Sequence, residues 1–201
     1  MLRAQLVPAV MLTVLASVLL GIAYPITIYC IGQLAFRRQA DGSLISRDNR
    51  GVGSSLLGQS FRDSAGNPLP QYFQPRPSAA GSGYDGTASG ASNLGPSDPK
   101  LLTAVSQRAA AYRAFNRLPA NAAVPVDAVT ASSSVLAPDI SVANADLQAP
   151  RVAAAGHLSQ ETVTALARDH TTGRALGFLG ETRVDVVELN LALDEARRRP
   201  R

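Results

Sequence analysis

AQLVPAVMLTVLASVLLGIAYPITIYCIGQLAF, residues 4–36, is a run of 33 positions without an Asp, Glu, Lys, Arg or His. Arg3 precedes it, and Arg37 and Arg38 follow it. About 20 apolar helical residues cross the roughly 30 Å hydrocarbon core of a bilayer, so the run predicts one membrane anchor spanning about residues 9–33. Helical throughout, it would extend roughly 50 Å, so part of it must tilt or emerge, with Pro25 as the place for a bend. Ala16, Ser17, Gly21 and Gly32 are small enough to let partner helices approach closely. A cleaved signal peptide is the rival reading, with Gly21 and Ala23 as the small pair before a cut. Against it, Ile26–Ile31 prolongs the apolar run and Pro25 follows the candidate cut by two residues. Tyr29 is too bulky for a lipoprotein site at Cys30, which is expected to face lipid or a partner helix.

Outward from the anchor, residues 37–201 number 165, enough for one domain with a core. The expected organisation is an anchor over 1–37, a soluble domain over 38–196 and a basic tail over 197–201. Residues 37–196 hold 14 Lys and Arg against 15 Asp and Glu, so the basic pI comes from the ends of the chain. No basic stripe with interleaved aromatics remains to follow a phosphate backbone, which excludes a nucleic-acid partner. A single cysteine rules out an internal disulfide, and the arginines on either side of the anchor balance too closely to set its orientation.

Gly, Ser and Pro fill 27 of the 64 positions from 37 to 100. Leu56, Phe61, Tyr72, Phe73 and Tyr84 among them predict an ordered, turn-rich surface over a core, with extended pieces near Leu44-Ile45 and Tyr72-Phe73. Ser97-Asp98-Pro99 opens a helix that should end near Asn116, before Pro119. Val124–Thr130 reads as a strand. Ser141 caps a short helix through Leu147, which Pro150 interrupts and Arg151–Ala155 resumes, and Ser159 caps another to about His170. Leu158 and Val163 are spaced for a hydrophobic staple. Arg183–Leu193 reads as a bulged or doubly buried strand. Helices and strands mix without a βαβ rhythm, so the fold class is α+β.

Chemistry-bearing motifs are few. Gly81-Ser82-Gly83-Tyr84-Asp85-Gly86 matches GxGxxG but lacks a preceding strand and a following ribose acid, so it reads as a tight loop. The chain has no GxxxxGK[ST], GxSxG, HExxH or DKTG sequence, and His157 and His170 sit beside helix ends. One span encloses no ion path. The profile is that of an accessory or docking subunit. The alternative is a membrane-tethered extracytoplasmic hydrolase or ligand-binding domain, which requires Asp85, Asp127 and Asp139 to converge.

Several blocks in order resemble the C subunit of the bacterial potassium-transporting ATPase, the KdpC family. They include Gly53–Phe61, Tyr72–Ala79, Ser89–Pro96, Val126–Ser132, Pro150–Ala153, Leu176–Glu181 and Val186–Asp194, and the resemblance covers nearly all of residues 4–196. It implies a pump that imports potassium using ATP, with a channel-like potassium-translocating subunit, a P-type ATPase subunit and a small helical subunit as partners. This chain would be the non-catalytic member, needed for assembly and acting as a catalytic chaperone that raises the ATPase subunit's affinity for ATP. It would sit single-pass in the bacterial inner (plasma) membrane, against lipid, with its domain extracytoplasmic. The resemblance implies no stably bound cofactor, with ATP reached through the complex. It makes Gln148 a nucleotide contact, although an extracytoplasmic domain meets no ATP, and the bland alternative is an amide bonded to nearby backbone. Expected docking residues are Arg76, Tyr84, Asp85, Asn93 and Arg151. The chain departs from the family's pattern at Ser133–Asp139, at Ala91 and at Ala154.

Overall fold

The computed structural model describes residues 2–47 and 50–198, with only the backbone described at 2–4. Residues 199–201 of the expected tail lie outside the described residues. Contacts divide the chain after Leu44 into two compact units.

The first unit is the apolar run. Helix α1 (Leu2–Val18) passes through a π-helical turn at Leu19–Ala23 into α2 (Tyr24–Ala35), and the short α3 (Arg37–Ala40) follows. Gln5–Ala35 is, among the described residues, the one helix long and apolar enough to cross a membrane. The π turn lies just before Pro25, where Tyr24 N–H bonds Leu19 C=O, five residues back. Proline lacks the N–H that a regular α turn would use, and a widened turn absorbs the gap. Cys30 is exposed.

In the second unit, β1 (Leu44–Arg47) pairs with β2 (Arg50–Ser54). A turn-rich segment then leads to α4 (Pro99–Asn116), α5 (Val126–Val129), β3 (Asp139–Ser141), α6 (Val142–Gly156), α7 (Gln160–Asp169), β4 (Thr171–Thr172), β5 (Arg183–Asp185) and α8 (Val186–Arg198). The antiparallel order β3-β5-β4 pairs Ile140 with Val184 and Thr171 with Val184. The class is mixed α+β, as the sequence predicts. Phe73, Ile140, Val152, Val163, Leu189 and Leu193 centre the core, and Leu158 and Leu166 pack against it.

The helix starts follow from their caps. Asp98 accepts from Lys100 N–H at 2.8 Å, Ser141 from Asn144 N–H at 3.1 Å and Ser159 from Thr162 N–H at 3.1 Å, each pairing an amide that the first turn leaves open. Three readings are corrected. Val124–Thr130 is not a strand: residues 126–129 make one helical turn after Pro125, closed by Thr130 N–H to Val126 C=O. Pro150 does not interrupt α6, which runs continuously through it and buries Ala149, Arg151, Val152 and Ala153. Arg183–Leu193 is strand only to Asp185. There the Asp185 carboxylate accepts from Glu188 N–H at 2.8 Å, and Val186, Val187, Leu189, Asn190 and Leu193 turn inward at helical spacing. The extended piece expected near Tyr72-Phe73 is held by side chains in place of a neighbouring strand.

Candidate functional site

Residues 72–78 run between α6 and α8, and two carboxamides take the place of neighbouring strands. Phe73 N–H donates to Asn190 Oδ1 at 2.9 Å, and Asn190 Nδ2 returns a bond to Phe73 C=O at 2.9 Å. Gln74 N–H donates to Gln148 Oε1 at 2.7 Å, and Gln148 Nε2 donates to Gln74 C=O at 3.0 Å. Consecutive residues of an extended chain present these groups on opposite edges, so one helix clasps each edge. Asn190 and Gln148 are each 1% exposed, and a buried backbone pair needs such partners.

Gln148 is the hub of a polar ladder on α6. Its Oε1 also accepts from Arg151 Nη2 at 2.8 Å, and its Nε2 also donates to Asn144 Oδ1 at 2.9 Å, so both oxygen lone pairs and both amide hydrogens are in use. Arg151 is 8% exposed, donates to Asn116 Oδ1 at 2.9 Å and to the carbonyls of Pro70 and Tyr72, and stacks over Phe115 at 4.3 Å. Burial pulls its guanidinium down to about 10, still protonated at neutral pH. Tyr112 donates to Asn144 Oδ1 at 2.8 Å, and burial first, then Asp127, pushes its phenol up. Asp127 accepts from Ser141 N–H, Ser141 Oγ and Asn144 Nδ2 at 2.8–2.9 Å.

Beside this ladder lies a cleft of 490 Å³, walled by residues 74–78 on one side and by Arg108, Ala111, Tyr112 and Phe115 on the other. Arg76 and Tyr84 meet there. Arg76 donates to Thr130 C=O at 3.2 Å and Ala131 C=O at 3.0 Å, while Tyr84 Oη donates to Arg76 C=O at 2.8 Å. Ser78 Oγ accepts from Tyr84 N–H at 3.0 Å and donates to Val135 C=O at 2.6 Å, which ties the GSGYDG turn to the wall. In that turn Gly81, Gly83 and Tyr84 have φ of 54°, 112° and 59°, the left-handed region that glycine tolerates best.

The structure therefore joins Gln148 and Arg151 directly, and brings Arg76 and Tyr84 together at the cleft. Asp85 stands apart and exposed, holding Thr87 N–H at 2.9 Å, and those Thr87 bonds keep its carboxyl below the usual range. Asn93 is exposed with φ 53°. The three carboxylates of the hydrolase alternative are engaged separately: Asp85 by Thr87, Asp127 by Ser141 and Asn144, and Asp139 by Arg183 at 3.2 Å. Arg108, Tyr112, Asn144 and Asn190 are absent from the sequence prediction. Asn144, Gln148 and Arg151 stand four and three residues apart on an Ala-rich helix, and that polar stripe was the available signal.

The described residues hold one helix long and apolar enough to cross a bilayer, followed by an α+β domain. The family model described as "K+-transporting ATPase, c chain" matches residues 6–195. The chain belongs to this family, KdpC. It is 53% identical over 192 residues to the potassium-transporting ATPase KdpC subunit of Mycobacterium tuberculosis, covering 96% of this chain and 98% of that one. The KdpC subunit of Kineococcus radiotolerans is 52% identical over 186 residues, 92% of this chain and 91% of its own. That of Acidobacterium capsulatum is 48% identical over 187 residues, with 93% and 96% covered.

Proposed function

We propose that the chain is the accessory subunit of an ATP-driven potassium import pump. Membership of the K+-transporting ATPase c-chain family across residues 6–195 carries the proposal. In it, the chain has no chemistry of its own and works with a channel-like potassium-translocating subunit, a P-type ATPase subunit and a small helical subunit. It supports assembly and raises the ATPase subunit's affinity for ATP. It is single-pass in the bacterial plasma membrane with its domain extracytoplasmic. The internally bonded polar ladder supports a body that binds and positions, because reactive groups need open valences that Gln148, Arg151 and Asp127 have spent on one another and on the backbone.

Within this proposal the exposed Asp85 and Asn93 dock directly, Arg76 and Tyr84 act through the cleft, and Arg151 holds the docking surface in shape. A nucleotide contact by Gln148 requires it to release one of its four bonds, so it belongs to an opened state of the clasp around Gln74. Deleting the chain should abolish high-affinity potassium uptake and raise the ATP concentration for half-maximal pump activity. Uptake and ATP dependence that survive deletion unchanged would refute it. An impermeant thiol reagent on intact cells should label an engineered cysteine at Asn93 in a Cys30→Ser background, and protection would reverse the topology.

A further inference from the structure

The cleft is long. Its extended wall, Gln74 to Ser78, measures roughly 16 Å at about 3.3 Å per residue, and Arg108 to Phe115 climb roughly 10 Å of α4. Three arginines from three separate segments line it: Arg62 from the loop before the wall, Arg76 from the wall and Arg108 from α4, while none of its lining residues is Asp or Glu. Each guanidinium is aimed by backbone carbonyls, Arg62 by Gly66 at 2.7 Å, Arg76 by Ala131 at 3.0 Å and Arg108 by Val129 at 3.0 Å. A carbonyl orients a cation without neutralising it. None of the three joins an ion pair among the described residues, whereas Arg37, Arg47, Arg183 and Arg197 all do.

We propose that this trough receives an extended, carboxylate-bearing segment of a partner subunit, with acidic side chains on Arg62, Arg76 and Arg108. The inference rests on the accessory-subunit reading above and names the chemistry of its docking. A trough of 10–16 Å holds three to five residues of extended chain at about 3.3 Å each, and charges spread over three segments suit side chains spaced along a backbone. Arginine forks grip carboxylates with two parallel bonds, and complementary charge sets the register. Phe115, Tyr112 and the rings of Pro75 and Pro77 give the segment an apolar floor.

The test uses the purified pump complex containing this chain with Cys30→Ser and Ala111→Cys, the new thiol carrying a benzophenone. Illumination should give an adduct to another subunit, mapped by mass spectrometry to a segment with at least two Asp or Glu within five residues. Raising salt from 50 to 500 mM during illumination, and separately Arg62→Glu with Arg108→Glu, should each lower the yield at least tenfold. Should the double variant fail to assemble, the salt series on the parent arginines decides alone. Adducts confined to lipid, detergent or an acid-free segment overturn the proposal, as does a yield indifferent to salt. Protection by magnesium ATP without any subunit adduct also overturns it and gives the cleft to nucleotide. An acidic adduct beside an unchanged ATP requirement on deletion would retain the docking and sink only the chaperone role.

Discussion

Replacing Asn190 by alanine removes both bonds that hold Phe73, each 2.9 Å long, from a residue that is 0% exposed. The Phe73 N–H and C=O are then left without their partner, and each buried unsatisfied group costs about 1–3 kcal/mol. Two such groups sum to about 2–6 kcal/mol, and settling of the segment should bring the loss to about 3 kcal/mol, a large share of the 5–15 kcal/mol typical of a domain. The assay is urea unfolding of the full chain in detergent micelles, followed by far-UV circular dichroism, with the anchor helix as a constant baseline. Asn190→Asp keeps the shape and the Phe73 N–H bond but turns an oxygen toward Phe73 C=O. Its loss should be small at acid pH, where the protonated carboxyl can donate, and should grow as pH rises. Gln148→Ala releases the other edge at Gln74, and the double variant should lose at least about 1 kcal/mol less than the sum, because either release frees the same segment. Asn190→Ala within about 0.5 kcal/mol of the parent would show that the amides merely accompany the segment and do not hold it.

Asp185 is raised to about 6, chiefly by burial and then by Glu188 and Asp139. Its folded form therefore holds a proton that the unfolded chain gives up near pH 4, so its contribution is present below pH 4 and is lost as pH rises through 6. Asp185→Asn, which can still cap Glu188 N–H, should flatten the decline in melting temperature between pH 4 and 7, measured by circular dichroism. Gly58→Ala drives a methyl into the Tyr84 ring and to 2.9 Å from Ala137 C=O, and should cost about 1–3 kcal/mol in the same urea assay. Arg151→Lys cannot reproduce the fork to Asn116, Gln148 and the Pro70 and Tyr72 carbonyls, and should lose about 2–4 kcal/mol where a surface Arg→Lys change such as Arg174→Lys loses almost nothing.

What was legible in the chain was local. The long apolar helix, α4 and the caps at Asp98, Ser141 and Ser159 depend on residues within a turn of one another, and the structure has each of them. α8 reads as strand because Val184 and Val186, then Val187, Leu189, Leu191 and Leu193 make two alternations offset by one, yet Asp185 and Glu188 stand three apart as in a capping box and mark a helix start. α5 is a single turn, too short for any period to show. The clasp was out of reach for another reason: Gln148 meets Gln74 across 74 positions and Asn190 meets Phe73 across 117, and no spacing rule links an amide to a backbone so distant. Arg197 shows the same limit. It reads as part of a basic run but bonds Asp194 at 3.1 Å and the Gln71 carbonyl, beside the Tyr72 ring.

The π turn at Leu19–Ala23 amounts to one residue inserted into a regular helix. An α-helix turns about 100° per residue, so the azimuth of every side chain in Tyr24–Ala35 is displaced by that angle from where α1 alone would place it. The helix thus presents one compass bearing to neighbours along α1 and another to those along α2. A substitution that tightens contact on one half leaves the aim of the other half untouched, while deleting a single residue between 19 and 23 would restore a regular helix and keep the second half on its present heading.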